Sequence, residues 1–285
     1  MKIIDIINGN TRSLSFEVFP PKTSDKYESV SKAVSEISKL EPSYMSVTYG
    51  AGGGTSDYTA KIANEVSSYG ITPLAHLSCI SSTKTQVKEK IKQLADSGIE
   101  NILALRGDIP SGLDTTSLDF RYAYELIDQI KKQGDFCIGG ACYPEGHPES
   151  DSLEKDIDYL KIKVEHGCEF LTTQMFFDNS IFYNFVDRLN KCGIFVPTVP
   201  GIMPITSYNQ LEKMVLISGN QLPQKFINLI SKYEKDPVSL KKAGIEYAIS
   251  QALDIYKQGF NSVHIYTMNK HDVAKEIKTN LKDII

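Results

Sequence analysis

Strand-like and helix-like segments alternate along this chain from one end to the other, and that alternation limits its fold more than any other feature. Runs rich in β-branched, aromatic and other apolar residues occur at 14–19, 44–49, 72–79, 101–107, 136–143, 169–176, 194–201 and 262–268. Between them lie helical stretches at 25–40, 57–69, 84–97, 120–133, 152–166 and 179–191. A longer helical region, 206–258, is expected to break near Pro223 and Pro237, because proline removes a backbone donor and clashes with the preceding turn. A last helix is expected at about 271–283. Gly70, Gly98, Gly134, Gly167, Gly193 and Gly259 follow helical stretches and are placed as C-terminal caps. A helix after every strand makes neighbouring strands parallel. Eight such units in 285 residues suit an α/β fold closed into a (β/α)8, or TIM, barrel, a single domain over 1–285. An open doubly wound sheet is the alternative. No linker or composition shift marks a second domain.

The remaining composition narrows the function classes. A net charge of -4 without a basic run gives no reason to expect nucleic acid. No apolar run approaches the roughly 18 residues of a membrane span. The first residues, MKIIDIINGN, carry Asp5 inside their apolar run and do not read as a signal peptide. The five cysteines, 79, 137, 142, 168 and 192, form no Cys-x-x-Cys pair. That spacing disfavours a disulfide framework or a zinc site and fits a reducing cytoplasm. Cys137 and Cys142 read as core thiols.

In a barrel of this kind, chemistry sits at the C-terminal ends of the strands. Those ends carry Glu17, Thr48-Tyr49-Gly50, His76, Arg106-Gly107-Asp108, Tyr143, Gln174 and Tyr266. Each has an ordinary structural explanation, but their shared position is the signal. Glu17 is a lone carboxylate in an apolar run, either a solvated strand edge or a proton donor held in an apolar pocket. The glycines after Thr48-Tyr49 allow close backbone approach to a ligand, yet match neither Gly-x-Gly-x-x-Gly nor a P-loop. Arg106 and Asp108 could simply pair at the surface, or Gly107 between them could admit a planar ring. The loop 141–150 holds His147, and the helix after it sets Asp156, Tyr159 and Lys163 at spacings of three and four. Lys163 could hold a phosphate as a point charge, or belong to a solvated charged face. Gln174 offers both a donor and an acceptor, which suits the edge of an amide-like heterocycle.

Nine stretches in order, SFEVFPPKT, SVTYGAGG, AHLSC, LALRGD, CYPEGHPES, LKIKVEHG, TQMFFD, PGIMPITSYNQ and HIYTMNK, closely resemble the methylenetetrahydrofolate reductase family. The resemblance spans nearly the whole chain and is to the short bacterial type, without the regulatory domain of the eukaryotic form. It implies a flavoprotein barrel that uses FAD and NAD(P)H, in ping-pong order, to reduce 5,10-methylenetetrahydrofolate to 5-methyltetrahydrofolate. By resemblance Glu17 is the general acid, and Asp108 lies near the flavin and bonds the pterin. Gln174 contacts both substrates in turn, Thr48 contacts the nicotinamide, and Gln210 and Lys270 hold the folate. FAD contacts are implied at Tyr49, Ala51, His76, Arg106, Gly107, Asp108, Tyr122, Ala123, Tyr143, His147, Ser150, Asp156, Tyr159 and Lys163. The family also implies a homo-oligomer. A second reading is a catalytic subunit that binds FAD but takes electrons from a partner protein. A third is a non-catalytic folate-binding barrel, which the retention of Glu17 disfavours.

Overall fold

Nine short strands lie in one parallel sheet: β1 (Ser13–Val18), β2 (Tyr44–Val47), β3 (Pro73–Ser78), β4 (Asn101–Leu105), β5 (Cys137–Cys142), β6 (Phe170–Thr173), β7 (Thr198–Val199), β8 (Gly201–Ile202) and β9 (Ser262–Tyr266). The computed structural model describes residues 1–49, 56–110, 112, 117–218 and 221–285. The strand order is β7-β6-β5-β4-β3-β2-β1-β9-β8. Only Pro200 separates β7 from β8, and these two pieces pair with opposite ends of the sheet, β6 and β9. The segment 198–202 therefore closes a barrel of eight staves. Leu171 N donates to Pro197 O at 2.8 Å, and His264 N donates to Pro200 O at 2.9 Å, so the ladder continues on both sides of the seam. This seventh stave is shorter than the expected 194–201. Pro197 and Pro200 have no N–H to give to a ladder, which confines regular pairing to two-residue pieces.

The helices are α1 (Ile3–Ile7), α2 (Tyr27–Ser38), α3 (Ser56–Ser68), α4 (Lys84–Asp96), α5 (Ala123–Lys131), α6 (Leu153–Glu165), α7 (Asn179–Lys191), α8 (Tyr208–Ser218), α9 (Gln224–Lys232), α10 (Pro237–Lys257) and α11 (His271–Leu281). The expected breaks at Pro223 and Pro237 separate α8, α9 and α10. Pro223 is the N-cap residue of α9, and Pro237 opens α10 behind Asp236, whose side chain accepts from Val238 N and Ser239 N. Gly70, Gly98, Gly167, Gly193 and Gly259 adopt the positive φ of a helix C-cap. Gly134 does not. There the requirement is space, since a Cβ would lie 2.8 Å from the Phe136 ring.

Helix α1 has no counterpart in the sequence expectations. At five residues it is too short to show a helical period, and tertiary packing holds it in place. Ile3 and Ile7 are buried against Tyr44, Leu74, Leu103, Cys137, Phe170 and Val199, closing the N-terminal end of the barrel. Ile3 N donates to Asn101 Oδ1 at 2.8 Å. Along β1, Leu14, Phe16 and Val18 pack into the large cluster shared with the helices. Strand alternation turns Ser13, Ser15 and Glu17 to the opposite, interior face. A carboxylate can thus sit within an apolar run because the run is apolar on one face only.

Candidate active site

Two adjoining cavities lie at the C-terminal ends of the strands. The inner one, of about 420 Å³, is lined by Glu17, Ser46, Thr48, His76, Thr172, Gln174, His264 and Tyr266, among others. The outer one, of about 530 Å³, is lined by Tyr49, Arg106, Gly107, Ala123, His147 and Lys163, among others. Leu105, Asp108, Ala141 and Tyr143 belong to both walls.

Glu17, near the end of β1, is 6% exposed. Its Oε2 lies 3.7 Å from His76 Nε2 and 4.0 Å from His264 Nε2. His264 is fixed from several sides. Its Nδ1 is 2.7 Å from Ser15 Oγ and its Nε2 3.2 Å from Ser46 Oγ. Tyr44 stacks on its ring and Tyr266 meets it edge-on. Burial pushes His76 down to about 4, outweighing the attraction of Glu17, so the ring is neutral at neutral pH. His76 Nε2 has no hydrogen-bond partner among the described residues. The acidic side chain therefore sits between two imidazoles, buried in the wall of the inner cavity.

At the shared rim Asp108 is exposed and Tyr143 is half-buried. Burial pushes the Tyr143 phenol up to about 12. Arg106 does not make the surface pair with Asp108 that the sequence allows. Its guanidinium grips Glu149 through two hydrogen bonds, of 2.6 and 2.8 Å, while its Nε donates to Gly107 O. Gly107 has φ +87°, and a Cβ there would fall 2.0 Å from Ser78 Oγ, so only glycine fits. The His147 ring meets Tyr143 edge-on, and His147 N donates to the Asp156 carboxylate at 3.2 Å. Asp156 is buried, and that burial raises its pKa. Lys163 donates to Ala141 O at 2.6 Å from the cavity wall, and burial lowers its pKa. Asp156 and Lys163 are thus removed from the solvated helix face that their charge alone suggests. Tyr122 and Tyr159 are exposed and stack on each other at 5.4 Å. Ser150 Oγ donates to the carbonyl of Ser152, the N-cap of α6.

Not every expected residue meets these cavities. Ala51 and the glycines around it lie outside the described residues. Gln210 and Lys270 line neither cavity and meet instead at Thr206. Gln210 Oε1 accepts from Thr206 N and Oγ1 at 3.0 and 2.9 Å, and Lys270 donates to the same hydroxyl. Glu149, Ser15, Ser46, Thr172 and His264 belong to the site or support it but went unread in the sequence. Period-two alternation backward from Glu17, Thr48, Gln174 and Tyr266 reaches Ser15, Ser46, Thr172 and His264. No such signal exists for the loop residue Glu149.

Tyr122, Ser150, Asp156 and Tyr159 are not in the lining of the outer cavity, which offers Arg106, Lys163, the Tyr49 and Tyr143 rings and a glycine that permits close approach. That set fits an extended, phosphate-bearing cofactor with a flat ring. Among the described residues, no group of three or more His, Cys, Asp or Glu side chains could hold a metal ion. No helix among them is long and apolar enough to cross a membrane.

The closed parallel barrel, with a buried carboxylate at its C-terminal face, defines a (β/α)8-barrel protein with a two-chambered site. The chain belongs to the methylenetetrahydrofolate reductase family, whose profile matches residues 2–282. It is 35% identical over 266 residues to the 5,10-methylenetetrahydrofolate reductase of Pectobacterium carotovorum, covering 93% of this chain and 88% of that protein. Identity to the Escherichia coli 5,10-methylenetetrahydrofolate reductase is 32%, covering 93% of this chain and 89% of that one. The Arabidopsis thaliana methylenetetrahydrofolate reductase (NADH) 1 is 33% identical over 99% of this chain, which spans 51% of that longer protein. Among solved structures, the fold is similar to an uncharacterized protein from Clostridium thermocellum that binds two copies of 5-methyl-5,6,7,8-tetrahydrofolic acid. The TM-score is 0.68 at 16% identity, with both chains fully covered.

Proposed function

We propose that the chain reduces 5,10-methylenetetrahydrofolate to 5-methyltetrahydrofolate with FAD in the outer cavity and NAD(P)H as electron donor. The observation that carries this reading is Glu17, an acid 6% exposed in the wall of an inner cavity that adjoins the outer one across Asp108 and Tyr143. FAD held there would supply hydride-transfer chemistry between the nicotinamide and the one-carbon unit of the folate, with the two substrates using the inner cavity in turn. The side chains do the rest. Lys163 takes the phosphates, Arg106, held by Glu149, flanks the ring, and the Tyr122–Tyr159 pair takes the adenine. Thr48 and Gln174 orient the nicotinamide and then, at Gln174, the pterin. Asp108 accepts a hydrogen bond from the pterin. Gln210 and Lys270, joined at Thr206, take the part of the folate beyond the pterin. Glu17 delivers a proton through its carboxyl oxygen to a nitrogen of the folate's five-membered ring. That opens the ring and leaves the one-carbon unit as an electrophile. A positioned acid of this kind contributes roughly 10²–10⁴-fold.

The test is Glu17→Gln followed by anaerobic stopped-flow of each half-reaction. Flavin bleaching by NADH should stay near the wild-type rate. Recovery of flavin colour on adding methylenetetrahydrofolate should slow by about 10²-fold or more. Equal slowing of both steps would reduce Glu17 to a structural role.

A further inference from the structure

Four buried side-chain atoms have no hydrogen-bond partner among the described residues: Tyr44 OH, His76 Nε2, Thr172 Oγ1 and Arg188 Nε. Of these, His76 and Thr172 both line the inner chamber that holds Glu17. His76 already belongs to the expected site. Thr172 does not, and a buried hydroxyl without a partner is costly to keep. Its neighbour Thr173 shows the ordinary solution, because Thr173 Oγ1 accepts from Gly201 N at 2.9 Å. Strand alternation places Phe170, Thr172 and Gln174 on one face of the β6 segment. Phe170 belongs to the apolar floor of the barrel, and Thr172 and Gln174 line the chamber above it.

We propose that Thr172 is a further substrate-binding residue, whose hydroxyl hydrogen-bonds the polar edge of the pterin one step deeper than Gln174. The inference rests on the folate reading above. A pterin carries donors and acceptors along a whole edge, more than one amide and one carboxylate can satisfy. A nicotinamide has a single carboxamide and places no such demand at depth. The hydroxyl can donate or accept, so it suits either kind of atom on that edge. The deep end of the chamber then selects for a polar-edged bicyclic ring over an apolar one of the same size.

Thr172→Val tests this, since valine keeps the shape and favours a strand but removes the hydroxyl. The readout is the dissociation constant of 5-methyltetrahydrofolate for the anaerobic, dithionite-reduced holoprotein, in which no transfer can occur. Binding should weaken about three- to tenfold, the value of one neutral hydrogen bond. Thr172→Ser should restore it. The Thr172→Val melting midpoint should equal or exceed that of the wild type, because an unpaired buried hydroxyl has been removed. Flavin reduction by NADH should be unchanged. Unweakened folate binding in Thr172→Val overturns the proposal, and so does an equal loss in the NADH step, which would assign Thr172 to the nicotinamide. A lowered melting midpoint with intact binding overturns it too, by showing a structural partner. Failure of the wild-type holoprotein to bind 5-methyltetrahydrofolate would instead refute the folate reading itself.

Discussion

His76 shows how burial decides protonation at this site. Its folded pKa falls from 6.5 to about 4, with desolvation the largest cause. The folded protein therefore holds His76 neutral, while the unfolded chain binds a proton below about 6.5. The unfolded state binds more protons between those values, so stability falls as the pH is lowered through that window and is unaffected by this group above it. The expected loss from His76 alone is about 2 kcal/mol between about pH 7 and pH 5. Urea denaturation of wild type and His76→Asn at both pH values measures it. The gap between the two proteins should shift by that amount, and a pH-independent gap would mean that His76 protonates freely in the fold. Glu17 was legible in the sequence for a related reason. A charge inside an apolar run is expensive to bury, so its presence there marked a site. Thr172 gave no such mark, because threonine is an ordinary strand former. Glu149 was invisible because its partner Arg106 lies 43 residues away in another loop.

At the scale of elements, the alternation of eight strand and helix units was readable because each element has its own period. Only helix α1 and the seam at Pro200 escaped, both being shorter than any period can reveal. The region 206–258 was read as helical and broken at two prolines, and only the family resemblance assigned one of its residues, Gln210, to the site. That role depends on one close approach. A Cβ on Gly244 of α10 would sit 1.7 Å from the carbonyl oxygen of Ile205, one residue before Thr206, where Gln210 and Lys270 meet. The glycine lets α10 lie directly against that backbone, and no side-chain rotation could relieve the clash. Gly244→Ala should therefore cost about 3 kcal/mol, at the upper end of overpacking. It should also weaken folate binding by displacing Thr206. An unshifted urea midpoint would mean that the 203–206 segment is free to move, and that its contact with α10 does not set the position of Gln210 and Lys270.

The whole molecule divides its labour between the two ends of the barrel. The C-terminal end carries carboxylates, imidazoles and unpaired polar atoms, which reduce stability and serve ligands. The N-terminal end carries the apolar floor capped by α1, where Ile3 is fully buried. Such a division is characteristic of barrels, in which the loops after the strands are free to vary over a scaffold stabilised elsewhere. It predicts that damage at the floor lowers stability without touching the chemistry. Ile3→Ala removes three buried carbons from a layer that the surrounding strands hold open, so the cavity closes only in part. The expected cost is about 2–4 kcal/mol. Well below the melting midpoint, the turnover with NADH and methylenetetrahydrofolate and the FAD retention that the proposed function requires should match the wild type. Denaturation curves and steady-state rates on the same preparation make the comparison. A fall in kcat or in FAD retention at full folding would show that strain at the floor reaches Glu17 through the intervening interior layer, and that the two ends are mechanically coupled.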